Sequence, residues 1–301
     1  MSAPRLVIGC DFTSRPSRRK PIVLACGHLC PEGARLARLL RFDRFDAFEA
    51  WLADPARRWV GGFDLPFGLP RELVRTLGWP LTWRACIEWV AALPRERLRE
   101  QLVAFCAARP AGAKFAHRAT DRPAGSSPSM KWVNPPVVYM LHAGVPLLLR
   151  AGAHFPGLHD ADESRVALEA YPGLLARSVL GRRSYKADAR ERQTPERRAA
   201  REALLAAAQA GEVPLLRGRA LALGLTAAQR QTLIDDASGD SLDAALCLLQ
   251  AAWAQRGVER IADAALRPGG ASELGTAAVR PAGGLDRRGS GRWHHEGRLR
   301  R

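Results

Sequence analysis

The stretch Leu6-Val7-Ile8-Gly9-Cys10-Asp11 decides how this chain folds: an unbroken apolar run of strand length ends in a single carboxylate. A run with no polar alternation predicts a strand buried on both faces, here over residues 5 to 12, with Asp11 at its tip. The basic segment Ser14-Arg15-Pro16-Ser17-Arg18-Arg19-Lys20 has turn composition, and a second apolar run, 21 to 29, returns from it as another strand.

Working outward, the apolar spacing within 36 to 42 fits either a third strand or a helix. Phe45, Phe48 and Leu52 share one face of an expected helix over 44 to 54. Arg58 to Phe63 returns as a strand that delivers Asp64, and Leu65-Pro66-Phe67-Gly68-Leu69-Pro70 ends it. Helical patterns follow over 70 to 77, 82 to 92, 95 to 108 and 136 to 151, interrupted by a polar, basic segment from Gly112 to Pro136 that is too long for a passive connector. A strand over 165 to 170 delivers Glu169, and Pro172 opens a helix to about 180. Thr194 and Pro195 open another to about 210. The last patterned helix runs from Asp240 to about Arg256, with Asp240 and Asp243 one turn apart at its start. This order, three strands, a helix, a strand, a helical stretch, a strand and closing helices, predicts an α/β mixed sheet flanked by helices. Residues 267 to 301 read as a flexible basic tail.

The formal charge is +16 over 301 residues, and eight arginines against Glu273, Asp286 and Glu296 give the last 35 residues +5, so the remainder carries +11. A basic surface gains affinity for polyanions by releasing counterions, which points to nucleic acid; only four of the basic residues are lysines, so a GC-rich coding bias is the plain rival. The first residues show no signal-peptide pattern, and the apolar stretch from Pro135 to Leu149 is broken by His142 and too short to span a bilayer. A cytoplasmic protein without a membrane partner is the expectation. Cys26, His28 and Cys30 cluster at zinc-ligand spacing but lack a second pair, so the six cysteines read as structural thiols of a reducing compartment.

Acids delivered from strand ends and a helix would converge beside the sheet and repel one another unless a cation shared them. Asp11, Asp64, Glu169 and Asp243 are the candidate catalytic acids, and Asp11, Asp64, Asp240 and Asp243 the candidate ligands of Mg²⁺ or Mn²⁺, the hard ions that oxygen donors favour. Each acid also has a plain structural explanation: an Asx-turn at Asp11, a turn cap at Asp64, a helix N-cap at Asp240. Arg15, Arg18, Arg19 and Lys20 are candidate phosphate contacts beside Asp11, as is Lys186, with Arg182, Arg183 and Tyr185, near Glu169. Trp132 and Tyr139 can stack bases or fill the core, and the arginines between 190 and 201 alternate with acids as on a solvated helix face.

The segments Gly9-Cys10-Asp11-Phe12-Thr13-Ser14, Gly62-Phe63-Asp64-Leu65-Pro66-Phe67-Gly68, Glu169-Ala170-Tyr171-Pro172, Ser184-Tyr185-Lys186 and Asp240-Ser241-Leu242-Asp243-Ala244 resemble a family of predicted nucleases catalogued as domain of unknown function 429. The resemblance spans about 5 to 257. It implies an RNase H-like domain over 1 to 266 with a large helical insertion at about 70 to 160, after the fourth strand. It further implies Asp11, Asp64 and Asp243 as metal ligands and Glu169 as a fourth acid or a support. The expected function is divalent-metal-dependent hydrolysis of nucleic-acid phosphodiesters; the alternative is a noncatalytic nucleic-acid-binding protein of the same fold. Gly269-Gly270-Ala271-Ser272 stands where the family continues with a Glu-Gly-Trp-Ile-like strand.

Overall fold

The computed structural model describes residues 5–216 and 221–265. The expected tail and the departure at 269–272 lie outside the described residues. The opening run forms β1 (Leu6–Asp11), followed by β2 (Ile22–Cys30) and β3 (Gly33–Phe42) in an antiparallel meander. The ambiguous segment is therefore a strand, and a longer one than 36 to 42. After α1 (Phe45–Ala53), β4 (Trp59–Phe63) pairs parallel to β1. Helices α2 (Arg71–Thr76), α3 (Trp83–Ala92), α4 (Arg95–Ala107), the single turn α5 (Asp121–Ala124) and α6 (Val137–Arg150) precede β5 (Arg165–Glu169), which pairs parallel to β4. Then come α7 (Pro172–Leu180), α8 (Pro195–Ala210), β6 (Ala222–Gly224), α9 (Ala227–Asp235) and α10 (Asp240–Ala265).

The result is a mixed six-stranded sheet in the order β5-β4-β1-β2-β3-β6 with helices on both faces. Strand alternation assigns the faces. Ile8, Cys10, Ile22, Leu24, Trp59 and Phe63 point into one core, which α1, α3, α4 and α6 cover. Val7, Val23, Ala25 and Val60 point into the other, beneath α7, α8 and α10. The central position of β1 explains its unbroken apolar run.

Two glycines bring α10 onto the sheet. A Cβ on Gly9 would lie 2.0 Å from the Leu248 backbone nitrogen and 2.1 Å from the Ala244 carbonyl oxygen, and one on Gly62 would lie 2.4 Å from the Cys247 carbonyl oxygen. Helix backbone thus packs directly on strand backbone, which the small residues Ala244, Ala245, Ala251 and Ala252 permit along the rest of the seam. By strand parity Asp11 and Asp64 stand on the same face as Gly9 and Gly62, under the first turn of α10.

Besides the single turn α5, two elements are absent from the sequence reading. β6 is three residues long and pairs only with Gly33–Arg35, too short for any periodicity to mark it. α9 begins with a capping box in which the Thr226 hydroxyl accepts from the Gln229 N–H and the Gln229 side chain accepts from the Thr226 N–H; that Thr-x-x-Gln signal was there to be read. α10 continues nine residues past Arg256, to Ala265. Among the described residues no helix is long and apolar enough to cross a membrane.

Candidate metal centre and its buried ion network

Asp11 ends β1, Asp64 follows β4, and Asp243 lies in the first turn of α10. One carboxylate oxygen from each lies within 4.8 Å of the other two, and among the described residues this is the one group of three His, Cys, Asp or Glu side chains close enough to share a cation. Cys26, His28 and Cys30 form no such group. Asp11 is 8% exposed and Asp243 fully buried, while Asp64 is half-buried.

Burial and mutual repulsion dominate the electrostatics. Asp11 is pushed well above the usual carboxylate range by burial first, then by the charges of Asp243, Asp240 and Asp64, with Lys186 opposing. Asp64 is pushed up to about 7, again by burial and then by Asp243. Burial raises Asp243 too, against the lowering effect of Lys186 and Tyr185. The Tyr185 hydroxyl donates to Asp243 Oδ1 at 2.5 Å and the Lys186 ammonium is ion-paired with Oδ2. Tyr185 is itself held from behind, because the Arg201 guanidinium donates to its carbonyl at 2.8 Å and to that of Ile234 at 2.7 Å. Arg201 is only 4% exposed, so the solvated-face reading of 190 to 201 fails at this residue.

The remaining acids are occupied elsewhere. Asp240 accepts from Lys20 Nζ at 2.7 Å, and the same ammonium reaches Asp188 at 2.8 Å. Asp240 does not cap its own helix. Instead the Ser241 N–H donates to Asp236 Oδ2 at 2.9 Å and the Asp243 N–H to the Gly239 carbonyl at 2.8 Å. Glu169 pairs in register with Phe63, so it points to the face opposite Asp64. There the Arg118 guanidinium grips it with two hydrogen bonds, of 2.7 and 2.8 Å, and the Phe67 N–H adds a third at 2.9 Å. Arg118 also donates to Asp121, whose side chain is fully buried. The structure thus gathers Asp11, Asp64 and Asp243 and leaves Glu169 and Asp240 outside the group.

Of the candidate phosphate contacts, Lys186 lies at Asp243 rather than beside Glu169, and Tyr185 with it. Arg15, Arg18 and Arg19 are exposed on the turn after β1, and Arg18 has only a distant carboxylate, Asp43, at 3.9 Å. Trp132 is buried edge-on against Phe115, a core role, while the Tyr139 ring lies under the Arg95 guanidinium at 4.3 Å. Arg118, Asp121 and Arg201 are the partners that the sequence reading missed. Arg118 is 51 residues from Glu169, and nothing local to either residue signals the pair.

Fold and site together define an α/β protein with a buried triad of carboxylates against the end of a mixed sheet. Residues 9–265 match the family described as Protein of unknown function (DUF429), and the chain belongs to that family. No curated protein and no solved structure matches it.

Proposed function

We propose that the chain is a divalent-metal-dependent nuclease built on an RNase H-like core. The observation that carries this is the convergence of Asp11, Asp64 and Asp243 within 4.8 Å from two adjacent parallel strands and a closing helix. An antiparallel β1–β3 meander with β4 and β5 parallel to β1 supports the fold label, and the five helices between β4 and β5 then read as the insertion.

The donor set fits Mg²⁺ or Mn²⁺. Three oxygen ligands whose pKa values are raised by burial and by each other gain most from a hard cation that replaces the shared protons. Bound by these three residues, such an ion supplies charge stabilisation at a phosphodiester and lowers the pKa of an attacking water. The chain's own groups do the rest. Tyr185, braced by Arg201, fixes the Asp243 carboxylate, and Lys186, with its side chain 42% exposed, is placed to neutralise a substrate phosphate. Lys20 ties the basic turn to Asp240 at the start of α10, which leaves Arg15, Arg18 and Arg19 at the rim to take backbone phosphates.

One observation favours the second reading, a noncatalytic nucleic-acid-binding protein: Lys186 already provides Asp243 with a cation from within the chain. Incubation with labelled single-stranded and structured DNA and RNA in Mg²⁺, Mn²⁺ or EDTA separates the two. The nuclease reading expects metal-dependent products that Asp11→Asn abolishes. Salt-sensitive binding without products, indifferent to EDTA and to Asp11→Asn, would overturn it in favour of the second.

A further inference from the structure

The segment between α4 and α6, the long basic stretch of the sequence, takes part in the site above only through Arg118 and Asp121. It also walls a cavity of about 520 Å³, within the range of small-ligand sites. Arg109, Lys114, His117, Arg122 and Lys131 line it, and Glu72 is the one carboxylate among the lining residues. Glu72 is already ion-paired with Arg109. Lys114, Arg122 and Lys131 have no carboxylate within salt-bridge distance among the described residues, unlike Arg97 with Glu100 or Arg150 with Glu49.

The cations are held in place as well as concentrated. Lys114 Nζ lies 5.5 Å from the Phe115 ring and 5.6 Å from that of Trp132, and Lys131 Nζ lies 6.0 Å from Phe115. Phe115 and Trp132 meet edge to face at 5.3 Å, and Trp132 is anchored in the core. Lys114, over both rings, and Lys131, beside Phe115 with its ammonium also donating to the Asn134 carbonyl, are pre-positioned for an anion. Lysines and an arginine around a concave surface with a half-buried ring suit a flexible phosphate backbone with a base that stacks, the chemistry of single-stranded nucleic-acid sites. The wall is also tied to the acid triad. Arg118, next to His117, reaches across to Glu169 at the end of β5, the neighbour of the strand that delivers Asp64.

We infer that the cavity walled by Arg109, Lys114, Arg122 and Lys131 is a second substrate subsite that binds the backbone of single-stranded nucleic acid away from the carboxylate triad. This rests on nucleic acid being the substrate. The test is therefore read as binding in EDTA, where no cleavage is needed. Fluorescence anisotropy of a labelled single-stranded oligonucleotide is titrated with the full chain and with the triple variant Lys114→Ala/Arg122→Ala/Lys131→Ala, across a salt series. Loss of three phosphate contacts is expected to weaken binding at least tenfold and to flatten the slope of log affinity against log salt by about 2. A control that removes charge elsewhere, Arg84→Ala/Arg97→Ala/Arg150→Ala, should change neither by as much. Hydrogen exchange on the unmutated chain, expected to slow over 112–131 when the oligonucleotide is added, checks the site without any substitution. Wild-type behaviour of the triple variant, an equal loss in the control, or absence of protection over 112–131 would overturn the inference. So would equally tight binding of inorganic phosphate or a mononucleotide, which would make the cavity a small-anion site. Metal-dependent cleavage that survives any of these would leave the nuclease reading standing; binding at the cavity without cleavage would retire the nuclease reading alone.

Discussion

Two groups of largely buried carboxylates lie at the same end of adjacent parallel strands, on opposite faces of the sheet, and they are treated in opposite ways. On the α10 face Asp11, Asp64 and Asp243 are held together, and among the described residues only Asp243 is ion-paired with a cation of the chain. On the other face Glu169 and Asp121 share Arg118, which satisfies both with hydrogen bonds of 2.7 to 2.9 Å. The residue types and depth are alike. The difference teaches that a buried acid pair completed by an internal arginine is finished structure, whereas a triad left with raised pKa values stores a demand for something from outside.

The sharpest way to break the comparison is to remove one acid of the triad. If the chain is the proposed nuclease, Asp64→Asn is expected to lower metal-dependent cleavage by about a thousandfold or more, as loss of a ligand from a metal clamp requires, in a single-turnover assay. The same variant should be at least as stable as the wild type in EDTA, because a repelling carboxylate is gone. Next in size, Arg118→Ala should destabilise the fold by about 3–5 kcal/mol in urea titrations, since it takes from Glu169 and Asp121 the cation they share and leaves them backbone N–H partners alone. Adding Glu169→Gln to that variant should recover part of the loss.

A pH series sharpens the contrast further. Asp64 has a folded pKa of about 7, above the ordinary carboxylate value near 4 that it has when unfolded. The folded state therefore binds more protons between those two values, and in EDTA this group's contribution to stability is fully present at low pH and is lost as pH rises through about 7. Thermal melts from pH 4 to 8 should show the wild type losing ground to Asp64→Asn as pH rises. Mn²⁺, which competes with those protons, should raise the melting temperature more at pH 8 than at pH 6. No such widening gap with rising pH is expected for Arg118→Ala. Comparable in size to Arg118→Ala, Gly9→Ala should cost about 3 kcal/mol or more, because the added methyl meets helix backbone rather than a side chain that can turn aside, and it should weaken the Mn²⁺ stabilisation by pushing Asp243 away from Asp11.

Much of this contrast was legible in the chain. The unbroken apolar run of β1 placed a central strand, and parity along it already put Asp11 on the face of Gly9. Asp64 and Asp243 were readable as element ends for the same reason. Glu169 was harder: its strand is five residues long, and only its register with Phe63 shows that it faces away from the triad. Arg118 as its partner, and Arg201 behind Tyr185, depend on tertiary contacts that no local pattern encodes. β6 escaped because three residues carry no period.

The contact of α10 with Gly9 and Gly62 sets more than the packing of one helix. With backbone resting on backbone, the helix turn that carries Asp243 and the strand ends that carry Asp11 and Asp64 are held at a spacing that no side chain at Gly9 or Gly62 can adjust. A rigid aperture selects ions by size. Magnesium and manganese take short, octahedral oxygen contacts, while calcium needs longer ones and more ligands. Were the triad to hold an ion, its selectivity would then be written at two positions that carry no side chain at all.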